Sequence, residues 1–274
     1  MNESIKNTKS LIMNILKNKQ HLISLLLVCL CATGFAQTNP ATPKAGKNLT
    51  QEFILQNQHY PEAELKNNKS GDVVVSFHLD EKGNGSEYQI KESFCDAANA
   101  DAIDLVKKIL WEPATKNMLP VAVDMDYTVE YRAKAYKRYW KKHTMVTPPL
   151  TLESDSSYVI YEQRQLEELA KPYFADGGNM AKYIQDNLKY PESAMATEVH
   201  GTVRLNFIVE TNGSVSNITI KNSVGAGCDN EAIRLLQETH WIPAVKNGKY
   251  VRSHNMQDIT FNIGSRNYQD GNAY

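Results

Sequence analysis

One seven-residue pattern, W-x-P-A-x-K-N, occurs twice in this chain. It reads WEPATKN at Trp111–Asn117 and WIPAVKN at Trp241–Asn247, 130 positions later. At this fixed offset, residues 60–117 and 190–247 share 19 identities in 58 positions without a gap. Unrelated segments of this length match at only a few positions. The chain therefore contains a duplicated unit, and its fold must accommodate two copies of it.

The first half of each copy predicts two strands and a turn. Apolar and polar residues alternate in residues 73–79 and 203–209, which is the period of a strand with one buried face. Asn212-Gly213 supplies the positive φ angles of a tight hairpin turn, and residues 83–85 (Gly-Asn-Gly) do so in the first copy. A second strand follows in each copy. Its inward residues are predicted to be Tyr88 and Ile90 in the first copy, and Ile218 and Ile220 in the second.

The second half of each copy predicts a helix and a last strand. Asn99 and Asp229 are suitable N-cap residues, and an apolar stripe follows each. The helix is expected to end at Trp111 or Trp241, since a proline stands two residues later. These tryptophans are expected to be core residues, with a binding role as the alternative. The last strand begins near Met125 and near Met256. Matching residues 126–129 to residues 258–261 requires a two-residue insertion in the second copy.

A short helix is predicted before each first strand, in QEFILQNQHYP and AKYIQDNLKYP. The element order is therefore helix, strand, strand, helix, strand. The fold class is α+β, with two similar small domains that each contain a three-stranded antiparallel sheet. A fragment starting near Leu166 is expected to fold alone, because the second unit has its own complete apolar pattern.

The N-terminal segment resembles a targeting sequence. Four lysines precede a 15-residue, mostly apolar run that ends at Ala36, which is short for a bilayer-spanning helix. Gly34 and Ala36 fit the small residues that signal peptidase requires, so cleavage before Gln37 is predicted. Retention of this segment as an uncleaved anchor is the alternative.

Composition and motifs argue against several classes of function. A formal net charge of −1 does not favour a nucleic-acid-binding protein. The seven histidines form no H-x-x-x-H pair, and G-x-S-x-G, C-x-x-C and phosphate-loop motifs are absent from the sequence. We therefore expect no enzyme activity, no metal and no cofactor. After cleavage, two cysteines remain, Cys95 and Cys228, which do not make a disulfide framework. They are expected to be unpaired, with an interdomain disulfide as the alternative.

The second copy carries several motifs in a fixed order: PYFADGG, YIQDNLKYP, G-x-V-x-L-x-F, N-G-S-V, EAIRLL, W-x-P-A and G-K-Y-V. Together they resemble the C-terminal domain of the TonB energy transducer. The resemblance covers Pro172–Ile263 well and Asn48–Tyr131 more loosely. Met118-Leu119-Pro120 replaces the Gly248-Lys249 turn in the first copy, which therefore departs from the family pattern beside its binding surface.

The resemblance implies a binding function. Domains of this family bind a short peptide near the N-terminus of an outer-membrane receptor, and the peptide adds to the sheet as an extra strand. Such a site needs an exposed sheet edge with free backbone groups. By resemblance, the receptive edge consists of Gln257, Asp258, Ile259, Thr260, Phe261, Asn262 and Ile263.

The chain departs from a complete transducer. The apolar segment looks cleavable, and only about 45 residues, with one proline pair, lie between the units. Without an anchor, force from an inner-membrane energising complex could not be passed on. We therefore expect a periplasmic protein that binds receptor peptides in TonB-dependent transport. If the segment is retained, the protein is anchored in the inner membrane and that complex becomes a partner. The alternative function is an envelope structural or sensory module, for example for peptidoglycan.

The segment Tyr131–Lys142 has six basic residues and no acidic ones, and Tyr136, Tyr139 and Trp140 lie among the basic residues. It is interpreted either as the end of a strand that runs into a solvated linker, or as a patch that binds glycan or an anionic envelope polymer.

The predicted organisation of the whole chain is a signal peptide (1–36), an N-terminal linker (37–47), a first TonB-like domain (48–131), a basic, aromatic extension and linker (132–165), a second TonB-like domain (166–265) and a C-terminal tail (266–274).

Overall fold

The computed structural model describes residues 38–143 and 147–263. The apolar N-terminal run and its predicted cleavage site lie outside these ranges. In the part of the chain that is described, none of the helices combines the length and the hydrophobicity needed to cross a bilayer.

The described chain contains seven α-helices and fifteen strands. The helices are α1 (Gly46–Asn57), α2 (Glu62–Lys66), α3 (Asp96–Lys108), α4 (Ala133–Lys142), α5 (Met180–Asn187), α6 (Glu192–Ala196) and α7 (Cys228–Gln237). The strands are β1 (Thr38–Asn39), β2 (Thr42–Pro43), β3 (Gly71–Leu79), β4 (Gly85–Glu92), β5 (Trp111–Glu112), β6 (Ala114–Lys116), β7 (Leu119–Val121), β8 (Val123–Tyr131), β9 (Ile160–Tyr161), β10 (Lys171–Tyr173), β11 (Gly201–Val209), β12 (Val215–Asn222), β13 (His240–Ile242), β14 (Ala244–Lys246) and β15 (Lys249–Phe261).

The first repeat is built on a three-stranded antiparallel sheet in the order β4-β3-β8. The alternation in residues 73–79 has the expected effect, because the apolar side chains of β3 face the core and are 0–2% exposed. Helices α1 and α3 cover this face, and Trp111 packs against Phe77 with ring centroids 5.4 Å apart.

The second repeat has the same three strands in the order β12-β11-β15. Its sheet is larger, since β14 pairs with Lys249, Tyr250 and Val251 of β15, and β9 pairs with the next two residues, Arg252 and Ser253. Trp241 is 4% exposed and packs against Phe207 at 5.2 Å. The predicted fold class, α+β with two similar units, is confirmed, and both tryptophans are core residues as expected.

The strand register corrects the predicted insertion in the second copy. Val73 pairs with Val129 in the first repeat, and Val203 pairs with Ile259 in the second. Each of these equivalent pairs is related by the same 130-residue offset, as are the terminal partners Tyr131 and Phe261. The two-residue insertion is therefore wrong. The alternation of buried residues, which positions the last strand, keeps the original spacing.

Both predicted N-caps are also wrong. Helix α3 is preceded by Cys95 in an extended conformation, so Asn99 lies within its first turn. Helix α7 is preceded by Gly227, whose φ of 85° favours glycine. The Asp229 carboxylate instead accepts a hydrogen bond from the backbone N–H of Val224 at 2.9 Å.

Two other local expectations need correction. Helices α3 and α7 end at Lys108 and Gln237, so the tryptophans lie on the short strands β5 and β13 that follow. Ile220 is 43% exposed, although it was predicted to face inward. It lies near the end of the outer strand β12, where the register with β11 shifts next to its pair with Leu205. The buried face of β12 thus ends at Ile218.

Residues 38–39 and 115–119 group as a small unit of their own, in which Thr38 pairs with Lys116 and Asn39 with Thr115. The rest of the described chain, with both repeats, forms one compact unit. Within it the repeats are in contact. Leu49 of α1 packs against the core of the second repeat, and Gln237 donates a hydrogen bond to Glu52 at 2.8 Å.

Polar groups of the second repeat bind the end of α3 in the first. The Asn217 side chain accepts a hydrogen bond from the Leu110 N–H at 2.8 Å and donates one to the Lys108 carbonyl at 2.9 Å. The Arg252 guanidinium donates to the same carbonyl at 2.9 Å and forms a buried ion pair with Glu210 at 2.8 Å. We call this group, Lys108, Leu110, Glu210, Asn217 and Arg252, the inter-repeat network.

Candidate functional site

Strand β15 owes its position to the turn that precedes it. Asn247 and Gly248 have φ angles of 51° and 69°, and they form the two-residue connection between β14 and β15. Such turns require positive φ at both positions, which asparagine and glycine tolerate best. The Gly-Lys-Tyr-Val motif thus starts a 13-residue strand that continues along β11 to Phe261.

The predicted site residues lie on and just beyond this strand. Ile259 and Phe261 are each 1% exposed and anchor the strand in the core, whereas Met256, Asp258 and Thr260 lie on the exposed face. Residues 257–261 therefore have the predicted strand conformation. Asn262 and Ile263 lie past the end of β15, because its pairing with β11 stops at Gly201 and Phe261.

One side of β15 is open over most of its length. Ser253 pairs with Val209 of β11 and also with Tyr161 of β9, so β9 and β11 lie on opposite sides of β15. Beyond this point β11 continues on the inner side to Phe261. Within the described ranges, no strand pairs with residues 254–261 on the outer side. We call these eight residues the β15 edge.

The direction of the backbone groups follows from the bonds between β15 and the linker. The Tyr250 N–H and carbonyl bond to Glu153 and Asp155, in the same linker that supplies β9, so these groups of Tyr250 face the outer side of the strand. Alternate residues of a strand direct their backbone groups to the same side. Thr260 thus directs its N–H to the β15 edge, and Gln257 directs its N–H to β11.

The exposed face of the sheet is held by side chains that leave this edge free. Arg204 and Asp258 form a two-pronged ion pair with distances of 2.7 and 2.6 Å, and the Thr202 and Thr260 hydroxyls are 3.0 Å apart. The hydrogen bonds from Arg204 hold the pKa of the Asp258 carboxyl below its ordinary value. Both contacts join β11 to β15.

Sequence reasoning missed strand β9, which occupies the start of the outer side of β15. Residues 158–161, Tyr-Val-Ile-Tyr, are β-branched or aromatic and are typical of a strand. The linker also contacts β15 earlier, because the Tyr250 N–H and carbonyl bond to Glu153 and Asp155 at 2.8 Å. Residues 153–155 and 160–161 of the linker are therefore bonded to the second sheet.

In the first repeat, β8 occupies the position of β15. It pairs with β3 from Leu79↔Val123 to Gly71↔Tyr131, and no strand in the described part of the chain pairs with its other side. We call residues 123–131 the β8 edge. A groove of about 210 Å³ lies beside it, lined by α1 residues Gln51, Ile54, Leu55 and Gln58, by β8 residues Tyr127, Thr128 and Glu130, and by Arg132 and Ala135.

The basic segment after β8 is a helix, which corrects its interpretation as a strand end that runs into a linker. Helix α4 packs on the first repeat through Tyr136, whose ring centroid is 5.2 Å from that of Tyr60. Tyr139 stacks on His143 at 4.2 Å, and burial raises its pKa to about 12. Trp140 is 37% exposed. The apolar spacing of these rings within a basic sequence is the signal that indicates an amphipathic helix.

The remaining candidate site residues are the two cysteines and the side chains that could bind a metal ion. Cys95 and Cys228 are free thiols, as expected; Cys228 is buried, and burial raises its pKa. This shift is opposite to that of a reactive thiol. Among the residues that the structure describes, no group of three or more histidine, cysteine or carboxylate side chains is placed to hold a metal ion.

Two copies of one sheet, each with an open edge on its last strand, are the geometry that the family resemblance implied. The family model described as "Gram-negative bacterial TonB protein C-terminal" matches residues 56–133 and 186–263, which together are more than half of the chain. The chain belongs to the TonB C-terminal family. The two matches are 130 positions apart, so the duplication is of TonB C-terminal domains.

Solved structures of TonB C-terminal domains are also similar to this protein. The Helicobacter pylori TonB C-terminal domain (residues 194–285, solution NMR) is 22% identical, with a TM-score of 0.24, and the match covers 31% of this chain and 89% of that one. For the Pseudomonas aeruginosa TonB C-terminal domain the values are 23%, 0.27, 39% and 97%. No curated protein gave a significant match.

Membership of this family indicates a general role. TonB C-terminal domains act in TonB-dependent transport, where they interact with outer-membrane receptors, and they are binding and transduction domains rather than enzymes. The family also points to the Gram-negative cell envelope.

Proposed function

We propose that this protein, which has two domains of the TonB C-terminal family, binds an extended segment of an outer-membrane receptor by strand addition to the β15 edge. The observation that carries this proposal is the eight-residue stretch, 254–261, whose outer backbone groups have no strand partner in the described chain. An added strand would complete these hydrogen bonds. Affinity would then come mainly from the backbone, with modest demands on the sequence of the peptide.

The core anchors of β15 support this role. Ile259 and Phe261 hold the strand from inside, and the Arg204–Asp258 pair holds its exposed face, so the edge is ordered before a peptide arrives. A preformed edge lowers the entropic cost of binding. Strand β9 limits the site at one end, because it already occupies the outer side of Arg252 and Ser253. We therefore expect a bound segment of about eight residues.

The proposed location is the periplasm. The support is the sequence before Gln37, where a basic segment precedes a short apolar run that ends in Gly-Phe-Ala. In this state the protein acts as a binding protein, not an enzyme, and it does not transmit force. If the N-terminal segment is retained instead, the same edge serves an inner-membrane anchored transducer.

The test uses synthetic peptides that span the N-terminal segments of outer-membrane receptors encoded in the same genome. Binding is measured by fluorescence anisotropy, and the occupied edge is located by hydrogen–deuterium exchange. We expect a binding peptide to slow exchange of backbone amides within residues 254–261. Thr260→Pro removes an N–H from the outer side, so it should weaken binding at this edge at least tenfold while the circular dichroism spectrum stays unchanged.

Two matched variants control this experiment. Thr260→Val removes the hydroxyl but keeps the N–H, so it should bind as the parent does. Gln257→Pro removes an N–H that faces β11 and should destabilise the second repeat. The proposal is wrong if folded Thr260→Pro binds with parental affinity, or if no receptor peptide changes exchange in residues 254–261. Protection confined to helix α4 by a glycan or anionic polymer would instead favour the envelope-binding alternative.

A further inference from the structure

We infer that the protein is bivalent: the β8 edge is a second strand-accepting site, and one chain holds two extended peptide segments at once. This inference rests on the proposed function, because it uses the same binding mode. It differs in assigning a site to the first repeat, whose loop after Asn117 departs from the family pattern.

The β8 edge is the structural equivalent of the β15 edge. Thr128 pairs with Val74 as Asp258 pairs with Arg204, at the common 130-residue offset. No strand corresponding to β9 pairs with β8 in the described ranges, so the open side extends over all nine residues of the strand. The replaced turn at Met118-Leu119-Pro120 lies before β8 and leaves its register with β3 intact. The departure from the family pattern therefore does not remove the edge.

The groove beside the β8 edge provides places for side chains of an added strand. Its floor includes Ile54, which is 5% exposed, and its wall includes the ring of Tyr127, whose pKa burial raises to about 12. Alternate side chains of an added strand would point toward this floor. Apolar residues of moderate size suit these positions, because they would be removed from water against α1.

The opposite face of β8 indicates the chemistry of the other positions. Asp124, Asp126 and Glu130 project there, with side chains that are 87%, 41% and 54% exposed. Their present partners, His78, Lys91 and Arg132, come from β3, β4 and the residue after β8. An added strand on the outer side would place its own side chains beside these carboxylates. The fitting ligand is an extended peptide that alternates apolar residues with lysine or arginine.

Both edges belong to one compact unit, and the contacts that hold its two repeats together lie outside the edges. The inter-repeat network joins the end of α3 to β12 and to Arg252, and further bonds join α1 to the β11–β12 turn: the Asn57 side-chain oxygen accepts from Asn212 at 3.0 Å and from Ser214 at 2.7 Å. None of these contacts uses residues 123–131 or 254–261. A peptide on one edge therefore does not need to open the contact between the repeats or to displace a peptide on the other edge.

The test uses a synthetic decapeptide of alternating valine and lysine with the full mature chain. Isothermal titration calorimetry should give two peptides per chain, and hydrogen exchange should slow in residues 123–131 and in residues 254–261. Thr260→Pro should lower the stoichiometry from two to one and leave protection in 123–131. Thr128→Pro removes an N–H at the position of β8 equivalent to Asp258, which faces the same side of the strand as Thr260, and it should leave protection only in 254–261.

A charge variant tests the predicted ligand chemistry. Asp124→Asn combined with Glu130→Gln should weaken binding of the decapeptide to the β8 edge about threefold, because two exposed carboxylates are neutralised. Binding to the β15 edge should not change. Exchange at each edge reports the two affinities separately.

Each outcome decides between the proposals. One peptide per chain with protection only in 254–261 overturns bivalency and leaves the proposed function standing. Protection only in 123–131, with receptor peptides as well, overturns both the β15 site and bivalency. If receptor peptides protect 254–261 but the decapeptide binds nowhere, the inference is overturned and the proposed function is not.

Discussion

The Arg252–Glu210 ion pair yields a quantitative prediction about how this protein is held together. The two side chains are 5% and 2% exposed. The guanidinium donates two hydrogen bonds to the Glu210 carboxylate, at 2.8 and 2.9 Å, one to the Tyr158 carbonyl at 3.0 Å and one to the Lys108 carbonyl at 2.9 Å. Arg252→Met keeps most of the side-chain volume but removes all four donors.

The expected loss follows from what remains after the substitution. Glu210 would be a buried carboxylate whose remaining described partner is the Ser216 hydroxyl. Removing one partner of a buried ion pair costs about 3–5 kcal/mol, because the other charge stays desolvated and uncompensated. In a chain of this size each kcal/mol corresponds to about 2–4 °C. We therefore expect the melting temperature to fall by about 6–20 °C.

Guanidinium unfolding, followed by tryptophan fluorescence and circular dichroism, measures the free energy of unfolding. Arg204→Met is the matched control, because Arg204 forms a similar two-pronged pair with Asp258 on the same sheet, but the two side chains are 37% and 43% exposed. An exposed pair contributes about 0–1 kcal/mol. The double variant Arg252→Met, Glu210→Gln should recover at least half of the loss, because the buried charge is removed.

Two results would contradict this reasoning. If Arg252→Met loses no more stability than Arg204→Met, the buried pair is not the stabilising element that the structure indicates. If the double variant is no more stable than Arg252→Met, the loss does not come from an uncompensated carboxylate.

Three further predictions concern single sites. Trp241→Ala should cost about 3–5 kcal/mol in urea unfolding, because the ring is 4% exposed, whereas a similar loss for the 37% exposed Trp140 would contradict the role of burial. Burial lowers the pKa of His240 below its ordinary value of 6.5, so the folded state favours the neutral ring; stability should be full above pH 6.5 and fall as the pH drops below it, and His240→Gln should flatten this part of the pH profile of unfolding. N-terminal sequencing of the protein from its native envelope should start at Gln37, and recovery of intact Met1 in the membrane fraction would show that the segment is retained.

Periodicity predicted the framework of each repeat because it reflects burial directly. The alternation in residues 73–79 and 203–209 identified both central strands and their core faces, and the open last strand followed from the family resemblance. The predicted two-residue insertion before the last strand was wrong because it was based on exposed residues. Asp126 and Thr128 match Asp258 and Thr260 in residue type, but these are exposed positions, whose identities do not determine the register.

The features that were missed depend on tertiary contacts. Strand β9 contains only two residues, and it forms because β15 presents a free side to the linker. Asn217 bonds to Lys108 and Leu110, which are 109 and 107 residues earlier, and no local pattern in the sequence indicates such a pair. The β8 edge was visible only through its equivalence to β15, and the groove beside it depends on the placement of α1.

The inter-repeat network also affects whether the contact between the two copies can be repeated with a further copy. The first copy contributes a helix end and the second contributes a sheet surface, so the contact is head-to-tail and not reciprocal. A head-to-tail contact can be repeated, since the first copy also has a sheet surface to which the helix end of a further copy could bind. There, however, Glu87 stands at the position equivalent to Asn217, and Ala122 at that of Arg252. A carboxylate and a methyl group do not donate hydrogen bonds to a helix carbonyl, so the sheet of the first copy lacks the two side-chain donors with which the second copy holds a helix end.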